Sequence, residues 1–292
     1  MMKTEKMSDD SLRAFVPAKI NLGLNIVSRR DDGYHNLETV FFPVPLYDEL
    51  TLRRTSASEC GEGASLSMQG LTVVGDVNDN LVMRAYRLLC ADFPSLSACH
   101  LHFDLKKCIP TQAGMGGGSA DASYAMLLLD RMFDLHLTED ALADYALRLG
   151  ADCPFFVRNA FAPNPSQAFY GTGVGEMLRP VALSLQGYRL VVVKPDVAVS
   201  TREAFSRIVP QRPSICCADI IRRPLADWRA SLRNDFEESV FALYPELLSI
   251  KRRLYAEGAV YAAMSGSGSA IFGVFSADAL PSSFVDAYIL TL

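Results

Sequence analysis

Hydrophobic and polar residues alternate through positions 15–27. Ala18, Ile20, Leu22, Leu24 and Ile26 fall on one face, and Lys19, Asn21, Gly23 and Asn25 on the other. A period of two predicts a half-buried strand. The same alternation sets Leu101, Phe103 and Leu105 against His100, His102 and Asp104. Further strands are predicted at 38–44, 49–54, 169–178, 189–194, 260–264 and 270–275, and Cys153–Phe156 reads as a buried strand start. The spacing lengthens to a helical period at 81–92, where Leu81, Ala85, Leu88 and Leu89 share a face behind the cap candidates Asn78, Asp79 and Asn80. A helix-compatible run covers 120–133. Thr138 caps a helix over 139–149 that Gly150 stops. Ser200-Thr201-Arg202-Glu203 is a capping box, which predicts a helix carrying Phe205. Helices follow around 218–222, 226–233 and 245–256, and a last one is expected at 283–290.

Composition narrows the class. The 292 residues suffice for two domains or one large one, and with half of them hydrophobic a sizeable core is available. The formal net charge of −5, from 28 basic and 33 acidic residues, argues against a nucleic-acid partner. No apolar run approaches the roughly 20 residues of a membrane span. No signal peptide is visible, and a cytoplasmic location is expected. Residues 1–11 are polar and read as a disordered N-terminus. The seven cysteines are odd in number and form no Cys-x-x-Cys pair, so they read as reduced thiols.

The candidate chemistry centres on Pro110-Thr111-Gln112-Ala113-Gly114-Met115-Gly116-Gly117-Gly118-Ser119-Ala120, followed by a helix. Glycine permits close backbone approach and positive φ, and a helix N-terminus offers free N–H groups that suit phosphate. The loop lacks the Lys-Ser/Thr ending of a P-loop. The face of Lys19, Asn21 and Asn25 is either solvated or supplies donors to a ligand. Tyr34 and His35 follow an Asp-Gly turn, as packing or as a hold on a planar base. Asp152 is the one acid of a small apolar segment, either a positioned base or metal ligand or a buried cap. His100 and His102 face the same way but have no third ligand in view.

Three motifs stand in order: Pro17-Ala18-Lys19-Ile20-Asn21-Leu22, the glycine loop, and Ala263-Met264-Ser265-Gly266-Ser267-Gly268-Ser269. Together they resemble the GHMP kinase superfamily. Arg30-Asp31-Asp32-Gly33-Tyr34-His35, Asp79-Asn80-Leu81, Leu149 to Phe155 and Gly171 to Glu176 narrow the resemblance to the branch that phosphorylates the 2-hydroxyl of a cytidine-diphosphate-linked methylerythritol, on the way to isoprenoid precursors. The resemblance implies an α+β, two-domain fold: a ribosomal-protein-S5-like ATP-binding domain over 12–175 and a ferredoxin-like domain over 176–292. It implies ATP and Mg²⁺ as cofactors, with residues 110–120 around the ATP phosphates, Ser119 as a hydroxyl for the metal, and Asn80 and Lys107 near the adenine. It implies Asp152 as catalytic base with Lys19 as its partner, and Asn21 near the acceptor hydroxyl. Tyr34 and Phe205 would sandwich the cytosine with His35 at its edge, and Thr201 anchors the alignment of Phe205. The implied partner is a small molecule, with no membrane or nucleic acid, and the chain is expected as a monomer or weak homodimer. Met115 stands where leucine is usual, and Cys153 where valine is usual. A homoserine or mevalonate kinase, or a non-catalytic nucleotide-binding module, remain as alternatives.

Overall fold

The structure is a computed structural model that describes residues 4–56, 63–205, 207–279, 284 and 287–292. Cys60 lies outside the described residues. In chain order the elements are β1 (Thr4–Ser8), β2 (Ser11–Arg29), β3 (His35–Arg54), β4 (Ala64–Gly70), α1 (Leu81–Asp92), β5 (Leu101–Lys107), α2 (Gly117–Phe133), α3 (Glu139–Leu147) and α4 (Cys153–Phe161). Then come β6 (Ala168–Thr172), β7 (Met177–Val181), β8 (Tyr188–Val193), α5 (Thr201–Phe205), α6 (Cys217–Ile220), α7 (Leu225–Ser231), α8 (Phe236–Leu243), α9 (Pro245–Ala256), β9 (Tyr261–Met264), β10 (Ile271–Ser276) and β11 (Ala287–Thr291).

These elements form two compact units, and the mixture of segregated helices and largely antiparallel strands is α+β. The first unit holds Met1–Ala18, Leu46–Thr111 and Gly116–Pro165; the second holds Lys19–Pro45, Gln112–Met115 and Ser166–Leu292. Sequence reading divides the chain once, at 175/176. The compact units instead interleave, because β2 and β3 each give residues to both.

In the first unit the strand order is β1-β2-β3-β5-β4, with β4 parallel to β5 and the pairs β1/β2 and β3/β5 antiparallel. The N-terminus is not disordered from Thr4 onward: residues 4–8 pair with β2, Thr4 opposite Ala14, which satisfies backbone groups that would otherwise fray. Leu101, Phe103 and Leu105 of β5 are buried, and α1 and α2 pack on each other. Asn80 caps α1 by accepting from the Val82 N–H at 2.9 Å, and Thr138 caps α3 through the Ala141 N–H at 3.2 Å. The predicted strand after Asp152 is instead the helix α4. Pro154 sits in its first turn, where a missing N–H leaves no hydrogen bond unmade.

In the second unit β3 pairs with β6, and β6 with β7, so the strand read at 169–178 is a hairpin. A separate antiparallel sheet has the order β11-β8-β10-β9. Its core joins Leu24 and Ile26 to Val191, Met264, Ile271 and Phe275. From 287 the expected C-terminal helix is instead β11, whose Ile289 lies opposite Val191 of β8, while 283, 285 and 286 lie outside the described residues. Between Arg233 and Pro245 the sequence reading assigns nothing, and the structure has α8.

Candidate active site

Of the two readings of the polar face of β2, the solvated one fails at Lys19 and Asn21: every residue from Val16 to Leu24 is buried. Lys19 and Asn21, each 2% exposed, therefore cannot be an ordinary wet strand face. Lys19 Nζ donates to Asn21 Oδ1 at 2.7 Å, Asn21 Nδ2 donates to Thr39 Oγ1 at 3.0 Å, and the Thr39 hydroxyl donates to Gly23 O at 2.5 Å. Lys19 Nζ also lies 5.5 Å from the centre of the Phe41 ring. The ammonium is thus aimed by a relay of side chains that ends on β2 itself.

The middle of the glycine loop belongs to the same unit. The Lys19 N–H donates to Met115 O at 3.0 Å. Gln112 and Gly114 have φ of 51° and 69°. At Gly114 a Cβ would come within 1.9 Å of Ser265 O, so glycine is required both by conformation and by space. Ser265 Oγ donates to Gly114 O at 2.8 Å, and the N–H groups of Ser269 and Ala270 reach Gln112 O and Ala113 O, each at 3.2 Å. The Lys19 motif, residues 112–115 and the 265–269 loop, three pieces distant in sequence, are therefore hydrogen-bonded together.

Also in this unit, Phe205 stacks on His35 with ring centres 4.7 Å apart and planes 20° apart, and meets Phe236 edge-on at 4.8 Å. Thr201 opens α5, whose capping box is made as expected: Glu203 N–H donates to Ser200 Oγ and Ser200 N–H to Glu203 Oε2, each at 3.1 Å. Tyr34 is 65% exposed on the turn, with its N–H on Asp32 Oδ1 at 3.1 Å. His35 and Phe205 are brought together; Tyr34 has no ring contact with either among the described residues.

The first unit holds the remaining candidates. Gly116, at φ 71°, precedes α2, whose first turn carries Gly117, Gly118, Ser119 and Ala120. Ser123 Oγ lies 2.8 Å from Ser119 O and 2.9 Å from Cys153 O, one hydroxyl shared by the starts of α2 and α4. Asp152 is the residue before α4, half-buried and in αR geometry.

A cavity of about 240 Å³ adjoins that helix start, lined by Met68, Asn80, Leu81, Lys107, Thr111, Gly118 and Asp121 among others. Asn80 and Lys107 thus share one pocket, with Pro110 buried close behind in sequence. The Lys107 ammonium is 3% exposed and is held by two carboxylates, Asp48 and, at 2.7 Å, Asp121. Asp48 Oδ1 also accepts from the N–H groups of Cys108 (2.6 Å) and Ile109 (2.8 Å), whereas Asp121 Oδ1 is buried without a partner. One cation cannot compensate two buried anions. Both aspartates hold the Lys107 pKa above its usual value, while desolvation pushes the Asp121 carboxyl up to about 7. The cluster's spare proton therefore belongs on Asp121, the member with fewer donors. Sequence reading gave Lys107 a ligand role and Asp121 none. It missed Asp48, which is 59 residues from its lysine and carries no local signal.

Among the described residues no helix is long and apolar enough to cross a membrane. The model of the GHMP kinases N terminal domain matches residues 80–159, and that of the GHMP kinases C terminal region matches 218–288. A 4-diphosphocytidyl-2-C-methyl-D-erythritol kinase of Bacteroides fragilis is 50% identical over 262 residues, covering 90% of this chain and 91% of the relative. The kinase of the same name from Bacteroides thetaiotaomicron is 49% identical over 261 residues, covering 89% and 91%. A crystal structure of 4-(cytidine 5'-diphospho)-2C-methyl-D-erythritol kinase superposes with a TM-score of 0.73 at 33% identity, over 90% of this chain and 89% of that one. Homoserine kinase from Cytophaga hutchinsonii, at 16% identity, superposes with a TM-score of 0.67 over 99% and 96%, a likeness of fold alone.

Proposed function

The chain belongs to the GHMP kinases, and from that premise we propose that it transfers the γ-phosphoryl group of ATP to the 2-hydroxyl of 4-diphosphocytidyl-2-C-methyl-D-erythritol, in isoprenoid precursor synthesis. The observation that carries this reading is that relatives sharing half their residues with nearly the whole chain are named for that substrate. The buried Lys19–Asn21 pair, the braced glycine loop and the Asn80–Lys107 cavity support it as parts such a reaction needs.

Phosphoryl transfer asks a protein mainly to align two groups and to stabilise charge. The free N–H groups at the start of α2, with the loop backbone before it, suit the nucleotide phosphates. The cavity beside Asn80 suits the adenine, with the amide held by its cap bond to Val82. Asp152 takes the proton of the acceptor hydroxyl, and Lys19 is its charge partner, oriented by Asn21. Tyr34 and Phe205 sandwich the cytosine with His35 at its edge, a reading supported by the adjacency of the His35 and Phe205 rings.

Mg²⁺ would neutralise phosphate charge. Among the described residues no three His, Cys, Asp or Glu side chains gather as a metal cage. Ser119, partly exposed in the first turn of α2, would offer the ion a protein hydroxyl. We read the chain as a cytoplasmic monomer or weak homodimer.

The test is ADP release from Mg-ATP with three acceptors: diphosphocytidyl-methylerythritol, homoserine and mevalonate. Release with the cytidyl acceptor alone is expected. Release with another acceptor overturns the substrate, and ATP binding without release to any of them overturns the kinase reading.

A further inference from the structure

Residues 233–237 join two other parts of their unit. The backbone pairs with β2: Leu24 N–H donates to Arg233 O and Asp235 N–H to Leu24 O, both at 2.8 Å. The Asn234 side chain, within a residue that is 3% exposed, donates through Nδ2 to Met264 O and to Gly266 O, both at 2.8 Å. Its Oδ1 accepts from Phe236 N–H at 3.0 Å. Glu237 adds a bond from the Met264 N–H at 2.8 Å. A single buried amide thus uses both donors and its acceptor, and the two carbonyls it grips flank Ser265.

Ser265 is the residue that meets the glycine loop. Its hydroxyl donates to Gly114 O, and its own carbonyl fills the space a Gly114 side chain would need. The next glycine lies against the other motif: a Cβ on Gly266 would stand 3.3 Å from Asn21 Oδ1, the acceptor of the Lys19 ammonium. We propose that Asn234 is a positioning residue for phosphoryl transfer. By clamping the carbonyls on both sides of Ser265, it fixes the backbone of Gln112–Met115, and with it the donors turned to the nucleotide phosphates. The inference rests on the reading that residues 110–120 hold those phosphates.

Only an amide satisfies this clamp. In Asn234→Asp the shape and the acceptor for Phe236 are kept, but an anionic oxygen faces two carbonyl oxygens. Misplacing a positioning group by an ångström can cost roughly 100-fold in rate.

The experiment compares ATP and adenosine binding by calorimetry, together with steady-state turnover, in the parent and Asn234→Asp. ATP is expected to bind about tenfold or more weakly and turnover to fall about 10- to 100-fold, while adenosine, which lacks phosphates, changes less than about twofold. The ATP defect should shrink from about pH 8 to about pH 5, as the carboxyl regains one donor on protonation. Equal weakening of both ligands, or of neither, in the folded variant overturns the proposal. If Asn234→Asp does not fold, Ser265→Ala reads the same relay by removing only the hydroxyl on Gly114 O. An ATP-selective loss of about threefold supports the proposal, and no selectivity overturns it. A parent that binds ATP through its phosphates yet phosphorylates no cytidyl acceptor would overturn the proposed substrate and leave the role of Asn234 standing.

Discussion

Lys19 Nζ and Asn21 Oδ1 are 2.7 Å apart, within two residues that are each 2% exposed. Two positions apart on one strand, they form a polar pair that the sequence alone leaves open between a solvated and a ligand-facing side. Lys19→Met keeps the volume of the stem but deprives Asn21 of a donor. A buried acceptor left without its donor costs about 1–3 kcal/mol. Urea unfolding is expected to show a loss of that size, and steady-state assay a fall in turnover well beyond what the lost stability explains.

Asp152→Asn removes the proposed base with little change in shape at the start of α4. General-base help is worth about 10²–10⁴-fold. Turnover should fall by that factor while acceptor affinity, read by calorimetry, stays near the parent value. Near-normal turnover would take Asp152 out of the role.

The Asp48–Lys107–Asp121 cluster makes stability depend on pH. The folded-state pKa of Asp121 is raised from 3.8 to about 7, so the folded chain binds a proton there that the unfolded chain has released. The resulting stability is fully present below about pH 4 and is lost as pH rises toward about 7. Asp121→Asn should flatten this fall, seen as a smaller difference in urea midpoint between mildly acid and mildly alkaline buffer. Lys107→Met strips the cation from two buried carboxylates and should cost about 3–5 kcal/mol by the same measurement.

Gly114→Ala meets both a positive φ and the carbonyl of Ser265. The left-handed backbone alone costs roughly 1–2 kcal/mol, and the overlap adds to it. ATP affinity should drop about tenfold or more, with calorimetry as the readout. Parent-like affinity would separate this loop from nucleotide binding.

Tyr34 is exposed and carries no packing load, so Tyr34→Ala should leave the unfolding midpoint unchanged. Stacking on a base is worth about 1–3 kcal/mol, so the Michaelis constant for the cytidyl acceptor should rise about 5- to 150-fold at similar turnover. A pure turnover defect would contradict the stacking role.

Local signals were legible where they act locally. The Asn80 and Thr138 caps and the Ser200–Glu203 box lie within a turn of their partners, and the structure makes each bond as the spacing implies. Short apolar runs were not legible: the segment from Cys153 reads as a strand although periodicity does not separate that from a buried helix, and Pro154 in the first turn was the missed sign. The segment at β11 lacks a helix breaker, and only pairing with β8 decides its form. For α8 a signal existed, since Phe236 and Val240 stand one turn apart behind Asn234 and Asp235. What no window could reveal is long-range: the bond from Asn21 to Thr39, 18 residues away, and the Asp48 that holds Lys107.

The interleaving of the two units bears on how the chain is made. The first unit has all its residues once Pro165 has been synthesised. The second owns Lys19–Pro45 but cannot be completed before Ser166–Leu292 follows. At roughly 5–20 residues per second, that remainder takes on the order of ten seconds to synthesise. Throughout that interval Leu24 and Ile26, nearly and fully covered in the finished molecule, wait for core partners such as Val191, Met264 and Phe275. The strand that carries the candidate lysine is therefore synthesised well before the residues that complete its unit, a window in which a chaperone has something to hold.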